Sequence, residues 1–163
     1  MFNSFFNKFS HNIGIDLGTA NTVIYTKEKG IIINEPTVVA INKKTEQVLA
    51  VGEEAKNMIG KTPPHIKVSN PLNRGIISDY EVAEKMLQHF IEKVTEDKSG
   101  FSTRPKVITC VPIDATEVEM KAVEDAAKTA GAKEVHIVQE SMAAAVGSRM
   151  AIKEPIGNMV VDI

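Results

Sequence analysis

Gly14-Ile15-Asp16-Leu17-Gly18-Thr19-Ala20-Asn21-Thr22 is the stretch on which the reading of this chain turns. Ile15 and Leu17 flank Asp16 with the period of a strand, Gly18 interrupts the run, and Thr22-Val23-Ile24-Tyr25 resumes it. The pattern predicts a strand ending in an acid, a glycine turn and a second strand. Gly18 permits a turn tight enough for successive backbone N–H groups to converge on phosphoryl oxygens, and Thr19 and Asn21 add side-chain donors. Asp16 at the strand end can hold Mg²⁺ through coordinated water. An ordinary β-hairpin whose Asp and Asn satisfy turn backbone shares the D-x-G-T core, so the surrounding sequence has to choose between the two.

Downstream, short runs rich in Val, Ile and Thr at 22–27, 30–34, 37–42 and 47–51 continue the first strand, 13–17, into a meander. Gly52 to Gly60 places acids early and glycine last, as a short helix would, and Thr62-Pro63-Pro64 forbids its continuation. From Ser78 the period changes. Val82, Met86, Phe90 and Val94 share one helical face, with Ser78 and Glu81 at capping-box spacing. A strand is expected at 106–111, a second helix capped by Thr116 and Glu119 and closed at Gly131, a strand at 134–138, a helix over 142–150 capped by Ser141, and a last strand over 158–163. A meander followed by alternating strands and helices predicts an α/β fold with a parallel component.

Composition narrows the function classes. The 163 residues are 43% hydrophobic and 25% charged, enough for one sizeable core, and the net charge of -2 lacks the cationic footprint of a nucleic-acid binder. Cys110 is the single cysteine, so no internal disulfide or multi-cysteine metal site can form, and a reducing cytoplasm fits. No run approaches the roughly 20 apolar residues that a spanning helix needs.

DLGTANT (17–22 with Asp16) resembles the first phosphate loop of the actin, heat-shock chaperone and sugar-kinase superfamily, in the form typical of the MreB family. NEPTVVAI (34–41), AVGEEAKNMIGKTP (50–63), PLNRGIISDYEVAEKML (71–87), Cys110-Val111-Pro112 and Val161-Asp162-Ile163 resemble that family too. The resemblance implies an actin-like, ribonuclease-H-like ATPase fold, with 13–32 and 77–163 as a large subdomain and 33–76 as a small inserted lobe. It implies ATP and Mg²⁺ as ligands, with Asp16, Gly18, Thr19, Ala20 and Asn21 binding them. Glu140 matches the second Glu of E-E-P-M-A-A-A-I-G, which orients the water attacking the γ-phosphate; this chain departs from that pattern at Gln139 and Ser141. Asp162 would be a second acid near metal and water, on a strand that the superfamily follows with a second glycine-rich phosphate loop.

The family further implies head-to-tail filaments beneath the cytoplasmic membrane and a role with the cell-wall elongation machinery in rod shape. Residues 1–12 supply a membrane expectation of their own: Phe2, Phe5, Phe6 and Phe9 fall at i, i+3, i+4 and i+7, opposite Asn3, Ser4, Asn7, Lys8 and Ser10. A short helix of that kind suits a membrane interface, and the family resemblance implies Phe101 as a second, weaker contact. Docking of the Phe stripe on the protein's own core is the alternative. Two rival functions share part of the signal: another ATPase of the superfamily, such as a chaperone or sugar kinase, and a non-catalytic truncated remnant. Without a second phosphate loop, the chain alone is expected to bind ATP poorly and not to turn it over. Gly60-Lys61-Thr62 is not the end of a P-loop, because Ala55 stands where its first glycine belongs, and the four histidines show no ligand spacing.

Overall fold

The computed structural model describes residues 12–95 and 104–161. Its main sheet has five strands, with the first strand of the described chain at the centre. β1 (Asn12–Leu17), β2 (Asn21–Thr26) and β3 (Gly30–Pro36) form the antiparallel meander. β9 (Lys106–Val111) and β10 (Glu134–Gln139) add to the other side of β1 in parallel register. The expected meander divides after β3. Pro36 has no N–H to donate and sits at the end of an edge strand, where this costs least, and β4 (Val39–Asn42) then starts a second sheet.

That second sheet is antiparallel, with β4 between β5 (Val48–Val51) and β6 (Ile66–Ser69). Helix α1 (Glu53–Asn57) follows β5 and gives way to Gly60 at φ 74°. β7 (Leu72–Asn73) and β8 (Ile76–Ile77) pair as a hairpin joined by Arg74 and Gly75. None of β6, β7 and β8 was expected from sequence. β7 and β8 are too short to show a period, and the prolines at 63, 64 and 71 mask the segment as loop.

Helix α2 (Tyr80–Thr95) packs Val82, Met86, Phe90 and Ile91 into one apolar cluster with Ile13, Ile15 and Leu17 of β1 and Val107 and Val111 of β9. Ile33, Val39, Val51 and Leu72 join it, so the two sheets share a core. Strand alternation does the rest: with odd-numbered residues of β1 and β9 committed to that core, Asp16 and Cys110 fall on the opposite face, where Tyr25, Ile108 and Val138 lie exposed.

Helix α3 (Glu117–Thr129) has the expected capping box: the Thr116 hydroxyl accepts from the Glu119 amide, and the Glu119 carboxylate accepts from the Thr116 amide at 2.7 Å. Two other caps differ from expectation. Ser78 donates to the Pro71 carbonyl at 3.1 Å, and Asp79 takes the cap instead, its carboxylate accepting from the Val82 amide. Ser141 caps nothing, because β10 passes straight into α4 (Glu140–Gly147) with Gln139 at the cap position and no side-chain cap bond. The helix expected over 142–150 therefore begins and ends earlier. The last expected strand is also corrected: residues 158–161 are not a strand, and Met159 and Val161 are 80% and 67% exposed. A lone extended segment with no paired neighbour has nothing to satisfy its backbone except water.

Candidate nucleotide site

The turn between β1 and β2 is tight enough to require glycine at its first position. A Cβ on Gly18 would lie 2.6 Å from the Asn21 carbonyl oxygen, closer than any side chain tolerates. The turn is then fastened from behind. The buried Thr37 hydroxyl donates to the Gly18 carbonyl at 2.7 Å and lies 3.0 Å from the Thr22 hydroxyl, while the Thr37 amide donates to the Ala20 carbonyl at 3.0 Å. Asn70 donates through Nδ2 to the Thr19 carbonyl at 2.5 Å, and the Gly75 amide donates to Thr19 Oγ1 at 2.8 Å. The four contacts to Gly18, Thr19 and Ala20 each consume an acceptor of the turn. They leave its N–H groups, and the proton of the Thr19 hydroxyl, for something else to accept.

In front of the turn is an open cavity of about 890 Å³. Asp16, the turn itself and the Arg74-Gly75 tip line one part of it, and Cys110, Pro112, Asp114 and the start of α4 line the other. Parallel pairing of β1 with β9 sets Cys110 beside Asp16, and its thiol donates to Asp16 Oδ1 across 3.5 Å. Burial, reinforced by the neighbouring Asp16 carboxylate and by Glu140, pushes the Cys110 thiol up to about 12. It is a neutral thiol at pH 7. Glu140 opens α4 on the far side: a Cβ on Gly75 would lie 3.4 Å from Glu140 Oε1 and 3.0 Å from Pro112 Cγ, so glycine at 75 leaves room for the carboxylate.

Residues 10–163 match the profile described as MreB/Mbl protein. The chain belongs to the MreB/Mbl family. It is 50% identical over 155 residues to the cell shape-determining protein Mbl of Bacillus subtilis (strain 168), covering 95% of this chain and 46% of that protein. To the cell shape-determining protein MreB of Escherichia coli (strain K12) it is 47% identical, over 100% of this chain and 48% of that protein. The crystal structure of MreB5 of Spiroplasma citri bound to ADP superposes with a TM-score of 0.78 at 35% identity, over 90% of this chain and 43% of that one. The chain thus spans about half the length of the curated relatives it matches, and its fold is the actin-like one of the MreB/Mbl family.

Of the residues singled out in sequence, the structure brings Asp16, Gly18, Thr19, Ala20, Asn21 and Glu140 to one cavity. Asp162, Phe2, Phe5, Phe6, Phe9 and Phe101 lie outside the described residues. Thr37, Asn70, Arg74 and Gly75 were missed. Thr37 and Gly75 stand inside stretches that resemble the MreB family, NEPTVVAI and PLNRGIISDYEVAEKML, but that resemblance carries no hint of a contact with the turn.

The residues fit a metal-bound polyphosphate. Among the described residues no cluster of three or more His, Cys, Asp or Glu could cage a metal by itself. Mg²⁺ needs no such cage: it keeps several waters and takes phosphate oxygens, with one or two carboxylates to position it. An exposed Asp16 beside a donor-rich turn meets that demand.

Proposed function

We propose that this chain supplies one wall of a Mg²⁺·ATP site in an actin-like protein that assembles into filaments under the cell membrane and directs cell-wall elongation and rod shape. The observation that carries the nucleotide reading is the polarity of the 18–21 turn. Four contacts, from Thr37, Asn70 and Gly75, occupy its acceptors, and the donors that remain suit an anion. Asp16 holds the hydrated metal, which when bound neutralises phosphate charge. Glu140 orients the attacking water, and Asp162 is the second acid of the same chemistry. The ADP bound by the Spiroplasma protein supports the ligand class. Filament formation and wall-directed function rest on the family.

Titration of the isotopically labelled 163-residue chain with Mg²⁺·ATP, followed by amide chemical shifts, tests the nucleotide reading. The expected result is millimolar affinity, since only one wall of the site is present, with the shifts gathered at 16–21, 74–75 and 140–141. Absence of shifts at the turn up to saturating ATP would defeat it.

Membrane association rests on the Phe2, Phe5, Phe6 and Phe9 stripe, whose i, i+3, i+4, i+7 spacing would gather four aromatic rings on one helical face. The intact chain should co-sediment with anionic liposomes, and the Phe5→Ser, Phe6→Ser double variant should lose most of that binding. Equal pelleting of the two would remove the segment as the anchor.

A further inference from the structure

The cavity in front of the turn has an unusual charge inventory for a site that is to receive an anion. Its described lining includes three carboxylates, Asp16, Asp114 and Glu140, and one cation, Arg74. No ion pair engages the Arg74 guanidinium among the described residues.

Arg74 is also held in a conformation that its side chain disfavours. It forms a two-residue hairpin loop with Gly75, and the two have φ 52° and 74°. Both central residues at positive φ make the turn of the type in which Asn-Gly or Gly-Gly is preferred. An arginine at the first position costs about 1 kcal/mol relative to glycine. The hairpin would therefore form more easily without it, which argues that the guanidinium is kept for what it can reach.

What it can reach follows from its neighbour. The Gly75 amide is bonded to Thr19 Oγ1, and the space over its Cα borders Glu140 Oε1. Arg74 is thus placed at the Glu140 end of the turn. On the nucleotide reading above, that is the end where the outermost phosphoryl group lies. We infer that Arg74 contacts the terminal phosphoryl group and gives this site its preference for a nucleoside triphosphate over a diphosphate. A planar guanidinium can donate two parallel hydrogen bonds to phosphoryl oxygens, and its charge offsets the carboxylates around it.

The test compares the wild-type chain with Arg74→Gly and Arg74→Lys, titrated with Mg²⁺·AMPPNP and with Mg²⁺·ADP and read by amide shifts. Arg74→Gly suits the φ of 52°, so its melting temperature should match or exceed the wild type. It should weaken the triphosphate analogue about tenfold, the lower range for a charge-assisted hydrogen bond, and the diphosphate less than about twofold. Arg74→Lys, which keeps the charge but not the fork, should recover part of the loss for the triphosphate alone. Equal losses for both nucleotides, or none for either, would overturn the assignment while leaving the nucleotide site standing. Failure of the wild-type chain to bind either nucleotide would overturn the site reading and this assignment together.

Discussion

Asp16→Ala should abolish the Mg²⁺-dependent part of ATP binding. The argument starts from strand alternation: Ile13, Ile15 and Leu17 are buried against α2, so Asp16 is on the face that opens to the cavity. Its backbone is fixed on both sides, by antiparallel pairing with Val23 and by the parallel run of β9. The carboxylate is therefore a rigidly placed, solvent-accessible oxygen donor next to the turn that would hold the phosphates. Mg²⁺ on a polyphosphate takes one or two carboxylates from the protein, so loss of the one at the turn should remove most of the protein's hold on the ion. The side chain is exposed, so its removal should leave the fold intact. In wild type, adding Mg²⁺ should strengthen ATP binding; in Asp16→Ala the affinities with and without Mg²⁺ should coincide. A variant that keeps the full Mg²⁺ effect would remove Asp16 from the site.

The second large effect is expected on rate. In a protein carrying this segment at the full length of its relatives, Glu140→Ala should leave ATP affinity nearly unchanged while slowing turnover about a hundredfold, the scale of a lost positioning group. Phosphoryl transfer asks little covalent chemistry of the protein and much of the placement of water and metal. Glu140 enters the cavity at the first turn of α4, opposite the Gly75 tip and close enough to Cys110 to raise its pKa. A competing account makes Glu140 only a helix-start acid that favours the α4 dipole. That contribution is about 0.3 to 1 kcal/mol of stability and would not separate rate from affinity. Kinetics under saturating ATP, set beside binding isotherms, distinguish the two, because parallel losses in rate and affinity would favour the structural role.

How far the sequence carries depends on chain distance. The strand, the glycine turn and the Thr116 cap are written in residues a few positions apart, and the structure has them where local pattern puts them. The fastening of the turn is not local. Thr37, Asn70 and Gly75 reach it across 19, 51 and 56 residues, and an isolated Thr or Asn in a proline-rich stretch gives no sign of such a partner. Caps fail for a related reason. Ser78 and Ser141 each have plausible spacing, yet Ser78 is claimed by the Pro71 carbonyl, and β10 runs into α4 without the turn that Ser141 would need. Arg74 was invisible because nothing in its residue type announces a positive φ or a cavity at its side. The apolar run at 158–161 had strand composition and no neighbour to pair with.

Replacing Mg²⁺ by Mn²⁺ in the ATP titration of the wild-type chain locates the metal directly, since the paramagnetic ion broadens amides according to their distance from it. The account predicts the strongest broadening at residues 14–18, with weaker broadening around Cys110 and Glu140, and loss of the whole pattern in Asp16→Ala. Broadening centred instead on the acids of α3, Glu124 and Asp125, with the 18–21 turn unaffected, would contradict it.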